Sequence, residues 1–471
     1  MENTTTLVPM GEVIGRTWSL CPVCLKRIPA TRVAEGDNIY LEKECPDHGS
    51  FRTVLWRDVE LYKILSRFDS KRSGARVRQT GRKKGCPFDC GLCPDHQQDT
   101  CLVVMEVTSR CNLRCRACFA SSGEGYLYEP DLAQIKGMYE TVLRGSKPVC
   151  VQLSGGEPTL RDDLPEIVSL GKKMGVDYIE VNTNGLRLAD DVAYLRRLKE
   201  AGVDAIYLSF DGVSPEVYEK ICGEDLLEAK TKAVKNCAAV GLGVILVPRI
   251  IKYINHDQVG KIIDFAKRWI PTVKGVHFQP LSYFGRHPGK PEDDERVTIP
   301  DLISAIEVQT SGEIRADNFI PTCCPEPHCD ARCLAVLLEN GRLFPLTSLP
   351  HTPAPTCADI PRLIRESVAS LWKLTARGEL PANPGVAPCK CQAGSWMEIV
   401  QRAAENYLTI SMMAFQDVWN IDLDRLEKCC IHVVTPDRRL IPFCAFNVTS
   451  EGGKTLYRHQ VLSGQISSRS R

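Results

Sequence analysis

The chain has 471 residues, 43% of them apolar and 25% charged, with a formal charge of +1 at neutral pH. That length predicts two or three domains, the composition is that of a globular protein, and the near-neutral balance gives no overall pull toward nucleic acid or an anionic membrane. No run approaches the roughly 20 apolar residues that span a bilayer, and the opening MENTTTLVPMGEV lacks a secretory h-region, so the expected location is the cytoplasm, with room for peripheral membrane contact.

Cysteine is the outlier, at 23 residues, and in a long cytoplasmic chain clustered cysteines argue for metal rather than for disulfides. Residues 20–50 read LCPVCLKRIPATRVAEGDNIYLEKECPDHGS: a CPxC turn, an alternating segment through Ile39 and Leu41, and a CPxHG turn. This resembles half of a rubredoxin-like pair of knuckles. Cys21, Cys24 and Cys45 supply three thiolates, the fourth ligand is either His48 or a cysteine farther along, and iron and zinc are not distinguished. Segment 67–84, RFDSKRSGARVRQTGRKK, is basic. A solvated linker is the simpler reading, and a patch for an anionic headgroup or a phosphate-bearing substrate is the sharper one. Next comes GCPFDCGLCPDHQQDTC, in which Cys86, Cys90, Cys93 and Cys101 place four thiolates within 16 residues. Those suffice for a complete auxiliary 4Fe–4S cluster, with zinc, or ligands shared with the first knuckle, as alternatives.

From 102 to 280 the pattern repeats. Apolar runs at 102–108, 149–153, 178–182, 205–210, 243–249 and 275–279 alternate with helical stripes at 131–143, 164–173, 192–201, 226–240 and 258–269. Six strands alternating with helices predict parallel βα units, either a doubly wound sheet or an incomplete barrel, with the site at the C-terminal strand ends. The first strand runs into TSRCNLRCRACFA, where Cys111, Cys115 and Cys118 form a CxxxCxxC triplet. Three such thiolates can hold three irons of a cubane 4Fe–4S cluster and leave the fourth iron open to an external ligand. A zinc knuckle or a group of buried thiols is the simpler alternative. The later strand ends carry Ser154-Gly155-Gly156-Glu157-Pro158-Thr159, Asn182-Thr183-Asn184-Gly185, Ser209-Phe210-Asp211-Gly212 and Val247-Pro248-Arg249, with His277 and Gln279 on the sixth strand. Each alone is ordinary turn chemistry, but polar groups recurring at one end of consecutive strands predict a shared pocket. The glycine pair would let backbone N–H groups approach a ligand, and Glu157 would offer a carboxylate to an ammonium group. Cys150, Cys222 and Cys237 stand singly and read as buried apolar residues.

The triplet followed by Phe119, the GGEP after the second strand and the NTNG after the third resemble the radical S-adenosylmethionine superfamily. The resemblance implies an α/β fold, a partial (β/α)6 barrel, here with cysteine-rich N-terminal and C-terminal metal-binding domains. It implies S-adenosylmethionine chelated at the open iron and cleaved by one electron to methionine and a 5′-deoxyadenosyl radical. A low-potential donor of the flavodoxin or ferredoxin type is the implied partner. Cys111, Cys115 and Cys118 would ligate that cluster, Gly155, Gly156 and Glu157 would hold the methionine amino group, and Asn182, Ser209 and Arg249 are candidates for ribose and carboxylate contacts. The CPxC…CPDHG start, the Cys86–Cys101 run and the late CCIHVVTPDRRLIPFCAFN are similar to archaeal tetraether lipid synthases, some of whose relatives have been named 7,8-dihydro-6-hydroxymethylpterin methyltransferases. That similarity implies one or two auxiliary 4Fe–4S clusters besides the knuckle iron or zinc, and C–C bond formation between lipid alkyl chains, with methylation of a pterin or other small heterocycle as the alternative.

In PTCCPEPHCDARC, residues 321–333, the ligands are ambiguous: Cys324 and Cys329 match best, with Cys430 and Cys444 as candidate partners. Residues 397–414 are patterned as a helix that could equally be plain core. The expected domains are 1–66, a metal-knuckle domain; 67–101, a basic linker and auxiliary-cluster segment; 102–310, the partial barrel; and 311–471, a C-terminal domain with an auxiliary cluster. A redox relay or metal sensor without its own chemistry would predict loss of Glu157 or of a triplet cysteine, and the chain keeps them all.

Overall fold

A computed structural model describes residues 11–68, 74–123, 127–145, 150–287, 289–322, 325–349 and 406–463. The N-terminal alternation becomes an antiparallel sheet of β1 (Glu12–Leu20), β2 (Arg27–Glu35), β3 (Asn38–Cys45) and β4 (Gly49–Arg57), in that order. Its two cysteine turns are the tips of the β1–β2 and β3–β4 hairpins, so both knuckles lie at one end of the sheet. One face of the sheet packs on the main core, with Ile39 and Leu41 fully buried.

All six expected strands form, and they stand in sequence order as parallel neighbours: β5 (Leu102–Thr108), β6 (Cys150–Gly155), β7 (Tyr178–Thr183), β8 (Ala205–Ser209), β9 (Gly243–Val247) and, after a short β10 (Arg249–Ile250), β11 (Val273–Pro280). The striped segments between them are helices at Leu132–Gly145, Leu164–Met174, Val192–Ala201, Leu227–Val240 and Val259–Arg268. Their apolar stripes pack on the outer face of the strands, where Ile135, Ile167, Leu195, Val234 and Ile263 are fully buried. That burial, rather than intrinsic propensity, holds such short helices.

The C-terminal part extends this sheet at both edges. β14 (Tyr407–Met413) pairs parallel with β11, and β12 (Asp330–Leu337) and β13 (Leu343–Pro345) follow it antiparallel. β15 (Ile431–Val434) pairs parallel with β5, and β16 (Leu440–Pro442) is antiparallel beyond it. The sheet does not close; its ladder runs from β13 at one edge to β16 at the other. The chain between β14 and β15 therefore crosses from the last barrel strand to the first, across the open side. Residues 397–414 are a correction, since the part within the described residues is the strand β14. Its sequence YLTISMM carries the β-branched and aromatic residues that a pleated surface favours, and pairing to β11 and β12 overrides the helical spacing.

Buried charges fasten the crossing segment. Arg32 on β2 meets Asp422 at 2.6 Å, Arg296 meets Asp417 at 3.0 Å, and Lys43 donates to the Val418 carbonyl at 2.8 Å. Beyond it, Arg458 opens the helix Arg458–Leu462 and forks onto Glu106 of β5 at 2.5 and 2.9 Å, bonding also to Asn447. Among the described residues no helix is long and apolar enough to cross a membrane.

Candidate functional site

The triplet loop follows β5 at the C-terminal end of the sheet, and neighbouring strand ends clamp it from several sides. The Gly156 and Glu157 amides donate to the Thr108 and Arg110 carbonyls, both at 2.7 Å. Asn184 Nδ2 donates to Asn112 Oδ1 at 2.7 Å. Arg249 donates to the Ala117 carbonyl at 2.5 Å and is itself held by the fully buried Asp211, with Nη2–Oδ2 at 2.7 Å. Arg286 Nε donates to the Cys115 carbonyl at 2.7 Å, and its backbone exchanges both hydrogen bonds with Cys118. These contacts present Cys111, Cys115 and Cys118 along one edge of a cavity of about 390 Å³. Three soft thiolate donors on one short clamped loop, facing a cavity, suit an iron–sulfur cluster.

The glycine pair works differently from the sequence expectation. The Gly156 N–H is spent on the Thr108 carbonyl, and a Cβ on Gly155 or Gly156 would lie 2.2 Å from the Thr108 oxygen or 2.1 Å from the Arg110 oxygen. Glycine is required there so that β6 and the loop can touch. Glu157 is likewise occupied, because its carboxylate accepts from Thr159 N at 3.0 Å, Thr159 Oγ1 and Thr183 Oγ1 at 2.6 Å, and Asn184 N at 2.6 Å. It ties the ends of β6 and β7 together. Gly155, Gly156, Glu157, Asn182, Ser209 and Arg249 all line the cavity, and Asn182 donates to Ser154 Oγ at 3.2 Å.

Cys222, which reads in sequence as a plain apolar residue, ends the helix Pro215–Cys222 with its sulfur 3.6 Å from that of Cys115. That thiol, helped by Arg249 against the burial penalty, holds Cys115 down to about 6, whereas burial pushes Cys111 up to about 11. No sequence signal marks Cys222, because the contact joins residues 107 positions apart.

The far wall of the cavity comes from β11, β12 and β14. Its lining includes His277, whose Nδ1 lies 2.9 Å from Ser411 Oγ, together with Asp330, Arg332, Thr409 and Ser411. The alternation in DARCLAVL and YLTISMM carried this signal, but it cannot be placed without knowing that the two strands join the barrel edge.

The other cysteine groups separate. Cys21, Cys24, Cys45 and His48 bring four ligand atoms within 4.8 Å of one another, with Cys45 Sγ to His48 Nδ1 at 3.4 Å. His48 is therefore the fourth member of the knuckle set. Cys86, Cys90 and Cys93 are buried, Cys86 and Cys90 beside Leu20, Phe443 and Tyr457, and do not line the cavity. Cys101 does line it, beside Cys150 and Cys430, and its thiol reaches the Cys430 carbonyl at 3.4 Å. Cys329 receives Arg425 Nη2 at 3.1 Å, and Cys444 receives the Gln416 amide at 3.3 Å. Burial raises the thiols of Cys329, Cys429 and Cys444, and the charge of Cys329 adds to the rise at both others; Cys430 is among the residues that line the cavity. Cys324 lies outside the described residues. In the basic segment, Arg76 pairs with Asp99 at 2.7 Å and Arg82 with Asp95 at 3.3 Å, so these charges serve the cysteine run next to them.

Residues 105–266 match the family model of the radical SAM superfamily, and residues 13–57 match that of the HMPTM N-terminal zinc ribbon domain. The chain is similar to a 7,8-dihydro-6-hydroxymethylpterin dimethyltransferase of Methanocaldococcus jannaschii, 36% identical over 491 residues that cover 95% of this chain and 94% of that protein. It is similar to a probable GTP 3′,8-cyclase of Saccharolobus islandicus, 32% identical over 216 residues that cover 46% of this chain and 68% of that protein. Among solved structures, Streptococcus suis SuiB bound to S-adenosylmethionine is 16% identical, over 46% of this chain and 48% of that one, with a TM-score of 0.39.

Proposed function

Because the chain belongs to the radical S-adenosylmethionine superfamily, in the family of 7,8-dihydro-6-hydroxymethylpterin dimethyltransferase, we propose that this enzyme transfers methyl groups to a reduced pterin. The observation that carries the reading is the end-to-end likeness to a protein of that name, in which both chains are covered almost completely. Lipid-chain coupling, the first reading of the sequence, gives way to it. Coupling calls for a wholly apolar groove, whereas the cavity carries Asp330, Arg332, His277 and Ser411 on one wall.

Cys111, Cys115 and Cys118 would hold the radical cluster, and S-adenosylmethionine would lie between them and the ends of β6, β7 and β8. When bound, the cluster supplies the electron that cleaves the sulfonium to a 5′-deoxyadenosyl radical. The chain's own part is to position and to exclude. Arg249, Arg286, Asn184 and the glycine pair hold the triplet loop to its neighbours, and Phe119, packed on Phe443 at 5.6 Å, walls the cavity on the crossing-segment side. The electron comes from a low-potential donor, which we take to be of flavodoxin or ferredoxin type. Cys86, Cys90 and Cys93 are the ligands we assign to one auxiliary cluster; Cys329, Cys429 and Cys444 form a second candidate set. The knuckle takes one zinc or iron ion.

The test is anaerobic incubation of reconstituted enzyme with reductant, S-adenosylmethionine and 7,8-dihydro-6-hydroxymethylpterin. We expect 5′-deoxyadenosine, abolished by C115A, and, with a methyl donor supplied (a second S-adenosylmethionine, which leaves as S-adenosylhomocysteine), a pterin heavier by one or two methyl groups. Coupled alkyl chains in the lipids of an expressing host, with the pterin unchanged, would reverse the order of the two readings.

A further inference from the structure

The wall that sequence reasoning missed holds buried polar atoms without partners among the described residues. Asp330 and Arg332 alternate along β12, so both fall on the cavity face. In the ladder, Arg332 stands opposite Ser411 and Asp330 opposite Met413, while Ser411 stands opposite His277 across β11. Asp330 is 4% exposed. Its Oδ2 accepts from Thr322 Oγ1 at 2.5 Å and Thr322 N at 3.3 Å, but Oδ1 has no partner among the described residues. The same is true of Arg332 Nε, two residues along, and of Thr409 Oγ1 on the adjoining strand. Leaving a buried donor or acceptor unmade costs about 1–3 kcal/mol, and more for a charged group. On one face of β12 an acceptor and a donor thus stand two residues apart, each buried and without a partner among the described residues, and a ligand that offers the complementary pair would satisfy both.

We infer that Asp330 and Arg332 read the 2-amino-4-oxopyrimidine edge of the substrate. The Asp330 carboxylate accepts from the amino and ring N–H groups, and Arg332 Nε–H donates to the 4-oxo oxygen. This rests on the pterin reading and deepens it, because it says which edge of the ring is held. It also orients the opposite, reduced ring away from β12 and toward the triplet loop. A guanine base presents the same edge, so the chemistry recognised is shared by the two ring systems.

The experiment is isothermal titration of full-length, anaerobically reconstituted protein, in the presence of S-adenosylmethionine. The ligands are 7,8-dihydro-6-hydroxymethylpterin, its analogue with a methyl group in place of the 2-amino group, and guanosine. D330N keeps an acceptor for Thr322 but turns a donor toward the ligand's donors; R332M removes the Nε–H. We expect D330N to weaken pterin binding at least tenfold and binding of the methyl analogue, which keeps only the ring N–H, by a clearly smaller factor, R332M to weaken both, and S-adenosylmethionine binding to be unchanged in each variant. If wild type binds the pterin and D330N binds it equally well, or loses both pterins by the same factor, the inference is overturned while the pterin reading stands. If wild type binds guanosine in preference, with the same dependence on Asp330, edge recognition stands and the pterin reading falls. Binding of neither ring system by wild type sinks both.

Discussion

Glu180 offers a sharp test of the physics inside the barrel. It lies on β7 between Tyr178 and Asn182, is fully buried, and has one acceptor bond, from Gln152 Nε2 to Oε1 at 2.7 Å; Oε2 has no partner among the described residues. Burial, and behind it the charge of Asp204, pushes its carboxyl up to about 8 in spite of the Gln152 bond. In the unfolded chain the same group ionises near its ordinary 4.5. The folded state therefore binds the extra proton between those values. The associated stability is fully present below pH 4.5 and is lost as pH rises through 8. At about 1.36 kcal/mol for each pH interval of one, the loss is about 3 kcal/mol by pH 7 and about 5 kcal/mol above pH 8. E180Q does not titrate, keeps the acceptor for Gln152, and leaves an amide N–H unpaired at a cost of about 2 kcal/mol. The two stability curves should cross near pH 6, with the variant the more stable above it. Urea unfolding at pH 5, 6, 7 and 8.5, followed by circular dichroism, reads this directly. Parallel curves for the two proteins would mean that Glu180 is ionised in the folded chain and that the reasoning fails.

Other outcomes follow from contacts already described. Once Cys115 is a thiolate, Cys222 can donate to it; such a bond is worth about 1 kcal/mol, or about 40 mV for one electron, so C222A should move the cluster potential more negative by about that much. An EPR-monitored redox titration measures it, and an unchanged midpoint would show that the thiol makes no such bond. C45A should remove one metal ion per chain in elemental analysis and expose β1–β4 to protease, while cleavage of S-adenosylmethionine persists. R458A strands the Glu106 carboxylate beneath the C-terminal helix and should cost about 3–5 kcal/mol in urea unfolding. R458K should recover only part of that, because lysine cannot fork between Glu106 and Asn447.

The barrel was legible because its information is local. Apolar runs of strand length and stripes at helical spacing repeat along 102–280, and each strand pairs with the next one in sequence, so order in the chain became order in space. The cysteine triplet was legible for the same reason, since its three thiols share one short loop. The knuckle set was nearly complete in sequence. Only the choice of His48 waited on the hairpins, whose tips bring 21–24 and 45–48 to the same end of a sheet.

What lay beyond the sequence is long-range. Cys222 beside Cys115 and the Asp330–Arg332 wall join residues far apart in the chain, and nothing in their own neighbourhoods distinguishes them from ordinary core; Arg249 stood out as a strand-end polar group, but its hold on the Ala117 carbonyl did not. The strand β14 shows why most plainly. Its residues alternate well enough for a pleated edge and are spaced well enough for a helix, and the open edge of β11 decided between them. Sequence alone determined that a cysteine-triplet loop sits at the strand ends of a βα sheet. Tertiary structure decided how that loop is clamped, which cysteines stay with each other, and which polar groups face the cavity. Local periodicity specifies elements, but the partners of a buried charge or thiol are set only when distant edges of the sheet are paired.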